Sequence, residues 1–451
     1  MVKDVKIPAH LGQALSGPNR EHWRAACLAE LDQMAKRDVW TVVEKKTGMK
    51  TIGHRWVFNL KQNTKGSIAK FKARLVARGD KQRPGIDYTE TYAPTASLMS
   101  LRLVLKNWKA ASFDVSGAYL YSPVEECVLV EPPTYFMPEL RGKVLSLKKA
   151  LYGMQQAGRC WWKFLSGILQ QLGFVATEVD QSLYIFCSPN AVIAIWIHVN
   201  DGVITSTSAE AISEFKSALV SQLDIKWSDN LDQIVGLECS FGTGEVTITQ
   251  RQLMDSILEA YPRHVVARDS PLPVLPNVTH TPYFSPVDTT PFRSVIGSLA
   301  YLVSGSRPDL AFAVNYLAQH SMGPSPAHWD LLDHVVGYLR KTRDRGIRLC
   351  PGEASLNLWS DAGWGGDLER SQTGFVLKLG DAPILWGSKR QSVVALSTCA
   401  AEYIALSDSM QHLVQAINQL EQLVGTFDRT IFCDNQAAVQ VLIDNKSRKR
   451  M

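Results

Sequence analysis

Apolar residues recur with two different periods along the chain, and these periods predict a mixed α/β protein. Between Arg20 and Asp38 they fall near one helical face, which predicts a helix. The stretches VWTVVEK and HRWVFNLK have the short apolar runs of strands. A long helix is predicted over YGMQQAGRCWWKFLSGILQQLGF, and another over SAEAISEFKSALVSQL.

The second half of the chain repeats this mixture after a proline-rich segment. Residues Ser270 to Pro286 carry the prolines and predict a linker. Two helical stretches follow. From Ser355 onward, strands are predicted in SLNLWSDAGW, GFVLKLG and APILWGSKRQ, then a helix from Thr398 and a strand in TIFCDN.

The stretch IAIWIHVNDGVITSTSAE, residues 193–210, predicts a β-hairpin. The apolar alternation breaks at Asn200, Asp201 and Gly202 and then resumes. Asn, Asp and Gly suit a tight turn because they tolerate a positive φ. The need for a tight turn is enough to explain these residues. They nevertheless include an acid, Asp201, at the tip of an apolar hairpin.

Basic residues concentrate in one segment, although the net charge of the chain is only +5. Between Lys61 and Arg83, eight lysines and arginines stand against one acid, Asp80. Apolar residues interleave with them, which predicts a strand that carries basic side chains. Such a strand suits contacts to phosphate groups. A solvated basic face is the simpler alternative.

Cysteine usage and apolar stretches bear on the compartment. The eight cysteines include no Cys-x-x-Cys pair and no cluster at zinc spacing, so free thiols in a reducing compartment are expected. The first residues lack the apolar run of a signal peptide, and no apolar stretch is long enough to span a bilayer. We therefore expect a cytosolic or nuclear protein without a membrane partner.

Two sets of acids have the pattern of two-metal sites. Asp114 and Asp201 each lie beside apolar strand residues. The second set, predicted on a strand, a helix and a strand, is Asp361, Glu402 and Asp434. Carboxylates from different elements can hold two divalent ions roughly 4 Å apart and so activate an attacking oxygen. Any one of these acids, taken alone, is better explained as an ordinary solvated carboxylate.

A series of motifs in a fixed order resembles the reverse transcriptase–ribonuclease H region of copia-type LTR retrotransposon polyproteins. The series runs from about Trp23 to the C-terminus and includes HRWVFNLK, KFKARLVARGDKQRPGIDYTETYAPTA, FDVSGAYLY, LKKALYGMQQAGRCWW, DQSLYIF, HVND, SDAGWGGD, ALSTCAAEY and CDNQAA. The resemblance implies an α/β (α+β) right-hand polymerase fold with fingers, palm and thumb, a connection and a ribonuclease H-like domain.

The resemblance also implies a division of the chain. It gives an N-terminal helical entry segment (1–45), reverse transcriptase fingers and palm (46–205), a thumb-like segment (206–260), a linker and helical connection (261–352), and a C-terminally truncated ribonuclease H-like domain (353–451).

Roles in a polymerase site follow from the same resemblance. Asp114 matches the acid that ligates both metals, and the Val115 carbonyl would face the nucleotide-side metal. Tyr119 matches the aromatic gate that selects deoxynucleotides by excluding a 2′-hydroxyl, with a plain core aromatic as the alternative. Lys72 and Arg74 are expected to hold the incoming triphosphate.

Further matching residues are expected to contact the template or the templating base pair. Lys70 and Arg78 would touch the template backbone. Tyr152 and Gly153 match the loop at the helix start that packs on the templating pair. Gln155 and Arg159 would lie on that helix, although helix packing alone also explains them.

Asp361, Glu402 and Asp434 match the acids of the ribonuclease H fold. The resemblance thus implies two Mg²⁺ (or Mn²⁺) ions per active site. It implies an RNA template, a DNA primer, an RNA–DNA hybrid and deoxynucleoside triphosphates as partners. It also implies a cytoplasmic location in virus-like particles, a nuclear location, or both.

Three departures from the family pattern bear on activity. The hairpin carries Asn200 where the family has the first of two consecutive acids, and an amide lacks the charge and one coordinating oxygen of a carboxylate. The helix before Asp114 is short by about one turn. The chain ends in KSRKR and Met451 before the helix that carries a fourth acid; the basic stretch also resembles a nuclear signal.

The expected function is an RNA-directed DNA polymerase with a ribonuclease H module from a copia-type transposable element. Two-metal nucleotidyl transfer would be impaired by Asn200 and by the truncation. The alternative is a catalytically dead or domesticated remnant that still binds nucleic acid, and a third possibility is the product of a decaying gene.

Overall fold

The computed structural model describes residues 5–62, 68–105, 109–273, 289–350, 355–365, 370–424 and 427–444. The helices in these residues are α1 (Leu11–Ser16), α2 (Arg20–Lys36), α3 (Leu98–Leu105), α4 (Ala157–Gln171), α5 (Ala209–Val220), α6 (Arg251–Ala260), α7 (Thr290–Gly305), α8 (Ala311–Ala318), α9 (Pro326–Lys341), α10 (Thr398–Val424) and α11 (Gln436–Asp444).

The strands in the same residues are β1 (Trp40–Glu44), β2 (His54–Gln62), β3 (Ile68–Ala77), β4 (Lys109–Val115), β5 (Leu129–Val130), β6 (Lys143–Leu147), β7 (Val175–Ala176), β8 (Leu183–Cys187), β9 (Val192–His198), β10 (Asp201–Ser206), β11 (Ile225–Ser228), β12 (Gln233–Ile234), β13 (Leu237–Phe241), β14 (Val246–Thr249), β15 (Ile347–Leu349), β16 (Ser355–Gly363), β17 (Gln372–Leu379), β18 (Ala382–Arg390) and β19 (Asp428–Phe432).

The chain divides into two compact units. The first contains residues 1–95, 114–175 and 218–226, and the second contains residues 96–113, 176–217 and 227–451. Both units mix helices with antiparallel sheets, as the two periods of the sequence predict.

The first unit places the basic strand β3 against the N-terminal helix α2. Strands β2 and β3 form an antiparallel ribbon, and β1, β6 and β5 form a three-stranded sheet in that order. On α2, Trp23 meets the rings of Phe58 and Phe71 edge-on, at 5.2 and 4.7 Å between centroids. This aromatic packing fixes the helix on the ribbon, because edge-on ring pairs add to the free energy gained by burying their area.

The long helix predicted from Tyr152 begins later than its sequence pattern suggests. Helix α4 begins at Ala157, and Gly153 has a φ of 87° in the turn before it. A Cβ on Gly153 would lie 2.4 Å from the Ala77 carbonyl oxygen, so only glycine fits this close approach. The prediction that Gln155 lies on the helix is therefore wrong, whereas Arg159 does lie on it.

The second unit contains strands β8, β9 and β10 of a six-stranded sheet with the order β11-β4-β10-β9-β8-β7. Strands β9 and β10 form the predicted hairpin, with Asp201 opposite His198. The turn lies one residue earlier than predicted: Val199 has the positive φ, 57°, and Asp201 and Gly202 already belong to β10. A two-residue turn with a positive φ at its first position matches the right-handed twist of the strands.

The rest of the second unit builds a small sheet, a helical layer and a second large sheet. Strands β12, β13, β14 and β15 form one four-stranded sheet, and helices α6 to α9 pack around Phe292, Leu332 and Val335. Strands β18, β17, β16 and β19 form the other, in which β19 runs parallel to β16. Helix α10 covers one face of this last sheet, with Leu413 and Leu420 in the core.

A buried arginine ties α3 to this last sheet within the second unit. Arg102 is 1% exposed, and its guanidinium donates hydrogen bonds to the carbonyls of Ile384 (2.9 Å) and Gly305 (2.8 Å). It also stacks over the ring of Trp386 at 4.1 Å. Burial lowers the pKa of Arg102 to about 9. Backbone carbonyls and an aromatic ring thus compensate a charge that the interior would otherwise disfavour.

Three sequence predictions fall outside the described residues in whole or in part. The end of the shortened helix lies at residues 106–108, most of the proline-rich linker at 274–288, and the basic terminal stretch at 445–451. Among the described helices, none combines the length and apolar character that crossing a bilayer requires.

Candidate functional site

Strand β3 brings two predicted cations to a pair of tyrosines in the first unit. Lys72 and Arg74 share a face of the strand and are half-buried, whereas Lys70 is exposed. The Arg74 guanidinium lies over the ring of Tyr152, at 4.6 Å from its centroid. Tyr119 meets the same ring edge-on at 4.8 Å. Four of the predicted substrate-binding residues therefore form one arrangement, called here the basic cluster (Lys72, Arg74, Tyr119 and Tyr152).

In the basic cluster, one hydrogen-bond donor lacks a partner, and one cationic group has a lowered pKa. The Nε of Arg74 is buried and has no hydrogen-bond partner among the described residues. Burial, and then the charges of Arg74 and Lys61, lower the pKa of Lys72 to about 8. An anion bound here would supply the acceptor that Arg74 lacks and would favour the charged form of Lys72.

Glu30 joins this cluster, although sequence reasoning did not single it out. Its side chain lies on α2 and is 8% exposed. Burial raises the pKa of Glu30, while the charges of Lys72 and Arg74 lower it. The sequence does hold a signal that could have identified Glu30. This acid occurs at helical spacing among residues that are buried on α2, namely Trp23, Cys27 and Met34. A buried acid in such a series indicates a cation close by, because an unpaired buried charge is costly.

Asp114 and Val115 end strand β4 and group with the first unit. The Val115 side chain is buried, which leaves only its backbone for any contact with a ligand. The Asp114 carboxylate is about a third exposed and lies 3.6 Å from Nζ of Lys226. Asp114 also raises the pKa of Lys72, so it contributes to the electrostatic environment of the basic cluster.

The remaining predicted residues of the first unit have local partners. Arg78 forms an exposed ion pair with Asp80, at 2.6 Å. Arg159 pairs with Glu90 and donates to the Tyr92 carbonyl at 3.2 Å. The Gln155 amide donates to the Gly79 carbonyl at 3.2 Å. The contacts of Gln155 and Arg159 hold the turn before α4 and the helix itself, so packing accounts for these two residues.

The hairpin of the second unit has a strained turn at Val199, next to Asn200 and Asp201. Val199 is β-branched, and its positive φ costs on the order of 1–3 kcal/mol, a strain that clusters at functional sites. Asn200 and Asp201 are half-buried. A Cβ on Gly202 would lie 2.2 Å from the Phe113 ring, so the residue after Asp201 must be glycine.

The three acids of the second predicted set do come together. Asp361 lies in β16, Glu402 on α10, and Asp434 follows β19. Burial raises the pKa of Glu402, and the nearby charges of Asp361 and Asp434 raise it further, while the Ala362 backbone N–H lowers it. Glu402 is 6% exposed, and its Oε2 has no hydrogen-bond partner among the described residues.

A cysteine that sequence reasoning did not single out joins these acids. Ligand atoms of Glu402, Cys433 and Asp434 all lie within 4.8 Å of one another. Asp361, Cys433 and Asp434 also line an open cavity of about 990 Å³. We call Asp361, Glu402, Cys433 and Asp434 the acidic cluster. Its orphaned buried carboxylate oxygen and its converging acids fit a divalent cation, since Mg²⁺ prefers oxygen ligands.

Comparison with known proteins agrees with the motifs. Residues 37–265 match the family described as reverse transcriptase (RNA-dependent DNA polymerase), and the chain belongs to this family. The predicted relation to copia-type Pol polyproteins and the predicted mixed α/β polymerase fold are confirmed. Reverse transcriptases as a family use divalent metals.

Similar proteins include retrotransposon polyproteins. The Retrovirus-related Pol polyprotein from transposon RE2 of Arabidopsis thaliana is 32% identical over 97% of this chain and 31% of its own length. That from transposon TNT 1-94 of Nicotiana tabacum is 28% identical over 98% of this chain and 35% of its own length. The chain thus spans about a third of the length of these relatives.

Among solved structures, the foamy viral protease-reverse transcriptase in complex with double-stranded DNA is similar. It is 13% identical, with a TM-score of 0.48 over 95% of this chain and 66% of the viral one.

Proposed function

We propose that the chain is an RNA-directed DNA polymerase with a ribonuclease H module, and that Asn200 impairs its polymerisation. The observation that carries the polymerase part is the basic cluster. Arg74 is held over Tyr152 with its Nε lacking a partner, and Lys72 lies on the same strand face. An arginine with a free donor edge beside a lysine is suited to a triphosphate, because guanidinium groups bind phosphate oxygens in a fixed geometry.

The tyrosines give this proposed nucleotide site its selectivity. Tyr119 is fixed edge-on against Tyr152, so its ring has little freedom to move aside. A fixed ring beneath the sugar excludes the 2′-hydroxyl by contact, and the proposed substrates are therefore deoxynucleoside triphosphates. Lys70, exposed on the same strand, and Arg78 would contact an RNA template or DNA primer through phosphates.

Metal binding is the step at which Asn200 matters. By their match to the family's motifs, Asp114 and Asp201 are the proposed carboxylate ligands of Mg²⁺ or Mn²⁺, which would lower the pKa of the attacking hydroxyl and neutralise phosphate charge. Asn200 supplies at most a neutral carbonyl oxygen where the family pattern has a third carboxylate. The loss of one negative charge weakens metal binding and so slows nucleotidyl transfer.

Primer extension on poly(rA)/oligo(dT) tests this proposal. With Mg²⁺ and with Mn²⁺, the Asn200→Asp variant should extend the primer on the order of 100-fold faster than the unchanged chain. Asn190→Asp is the matched control, because Asn190 is exposed in the turn between β8 and β9, and it should change nothing. Equal rates for the unchanged chain and the Asn200→Asp variant would contradict the impairment.

The acidic cluster supports the ribonuclease H part of the proposal. Asp361, Glu402 and Asp434 would hold Mg²⁺, which activates water for cleavage of the RNA strand in an RNA–DNA hybrid. The division into fingers and palm, thumb, connection and ribonuclease H module is proposed with it, as is action in cytoplasmic virus-like particles, in the nucleus, or in both.

A second candidate function rests on the basic strand β3, which could bind nucleic acid without any catalytic step. If the Asn200→Asp variant also fails to extend a primer, the chain is a catalytically dead or domesticated remnant that binds nucleic acid through β3. Binding of a fluorescent primer–template without extension, weakened by the Lys70→Ala change and by salt, is the result expected for that function.

A further inference from the structure

We propose that Cys433 makes the acidic cluster a binding site for soft divalent cations of the Zn²⁺ and Cd²⁺ class. The thiolate sulfur of Cys433 and carboxylate oxygens of Glu402 and Asp434 would be the ligands. The inference shares these acids with the proposed ribonuclease H function and rests on that function only for its inhibitory consequence.

The geometry brings three ligands of the right kind to one point. Their ligand atoms lie within 4.8 Å of one another. Zinc binds sulfur at about 2.3 Å and carboxylate oxygen at about 2.0–2.2 Å, so ligands of one tetrahedral ion stand roughly 3.5 Å apart. Asp434 is exposed and Cys433 half-buried, so rotation of their side chains can close this difference. A water would complete the fourth position.

Glu402 gives independent support for a cation at this point. Its carboxylate is buried on α10, yet Oε2 has no hydrogen-bond partner among the described residues. A buried acceptor left without a partner is unfavourable, so such a group in a native protein calls for a missing ligand or another explanation. A cation between Glu402 and Cys433 removes this cost.

The thiol decides which cations bind most tightly. Mg²⁺ prefers oxygen ligands and gains nothing from sulfur. Zn²⁺ and Cd²⁺ prefer thiolates, so the Cys433 sulfur favours them over Mg²⁺ at this point. Binding replaces the S–H bond with a metal–sulfur bond and releases one proton to solvent. A tetrahedral ion held here would occupy Glu402 and Asp434 and so compete with Mg²⁺.

A Cd²⁺ titration of the full chain tests the inference without any enzymatic step. The ultraviolet charge-transfer band of a cadmium–thiolate bond reports on sulfur ligation directly. The Cys433→Ser variant should lose one equivalent of this band and bind Cd²⁺ at the site roughly tenfold or more weakly. Its affinity for Mg²⁺, measured by calorimetry, should be unchanged, because serine keeps the shape and removes only the sulfur.

Two controls make the result decisive. Cys187→Ser removes a cysteine that is exposed and lies at the end of β8, and it should leave the site's band in place. Glu402→Gln should weaken both Cd²⁺ and Mg²⁺ binding. An unchanged band in Cys433→Ser would overturn the inference, and so would an equal loss of Mg²⁺ affinity. A band that depends on Cys433 in a chain that cleaves no hybrid would uphold the inference and refute the proposed ribonuclease H function.

Discussion

The basic cluster of the first unit and the acidic cluster of the second have opposite charges but the same physical problem. Burial lowers the pKa of Lys72 to about 8, and burial raises the pKa of Glu402. In both clusters the interior favours the neutral form of a group whose neighbours carry the same sign of charge. Each cluster also leaves a buried polar atom without a partner, Nε of Arg74 and Oε2 of Glu402.

This comparison shows which ligand each cluster lacks. An anion restores the charge balance around Lys72 and Arg74, and a cation restores it around Glu402. Glu30 already neutralises part of the first cluster, whereas in the second Asp361 and Asp434 repel Glu402 and the Ala362 backbone N–H offsets this in part. We therefore expect ligand binding to affect the acidic cluster more strongly than the basic one.

The largest expected effect is the loss of hybrid cleavage in Glu402→Gln. Removing the central charge should slow Mg²⁺-dependent cleavage of an RNA–DNA hybrid on the order of 10³-fold. The same change should raise the Tm of the metal-free chain, because it removes repulsion from Asp361 and Asp434. Both are measured on one preparation, by gel assay and calorimetry. A lower Tm would show that other contacts already compensate the repulsion of Glu402 by Asp361 and Asp434, which would contradict the comparison of the two clusters.

The next effect is a weaker affinity for nucleotide in Arg74→Ala. In the Asn200→Asp background, the KM for dTTP should rise roughly 50-fold, because a charge-assisted phosphate contact is lost. Lys70→Ala is the matched control on the same strand face. It should weaken primer–template binding and reduce its salt dependence with little change in the KM for dTTP. Equal effects of the two changes on KM would place the nucleotide elsewhere.

A smaller effect is expected from the aromatic gate. In the Asn200→Asp background, Tyr119→Val should reduce discrimination against ribonucleotides by about tenfold, since a contact in a pocket is worth only a few kcal/mol. Tyr119→Phe keeps the ring against Tyr152 and should keep the discrimination. Incorporation of rUTP and dTTP on poly(rA) measures both. A loss in the phenylalanine variant would mean that the hydroxyl, and not the ring, is the selective group.

The smallest expected effect is a pH dependence from Lys72. Its pKa of about 8 leaves it charged below that pH and neutral above it, so affinity for an anion should fall as the pH rises. Between pH 7 and 9 the KM for dTTP should rise a few-fold in the Asn200→Asp background. Lys72→Arg stays charged throughout and should flatten this profile. A profile that is unchanged in the arginine variant would assign the titration to another group.

Part of the fold was predictable because it depends on local sequence. The alternation around residues 193–210 gives the hairpin, and the helical spacing of α2, α5 and α10 gives those helices. The exact turn was not predictable, since it follows from the pairing of β9 with β10, which places Asp201 opposite His198. Nor was the start of α4, because the close approach of Gly153 to Ala77 comes from a distant strand.

The sequence by itself determined the order of the motifs, and with it the reverse transcriptase family and the candidate acids. It did so because the chemistry of each motif is carried by consecutive residues. Only the tertiary structure decided which charges share a site. Glu30 reaches Lys72 and Arg74 through the packing of α2 on β3, and Cys433 joins Glu402 because β19 runs parallel to β16 beside α10. Contacts of this kind depend on distances across the fold, and spacing along the chain does not encode them.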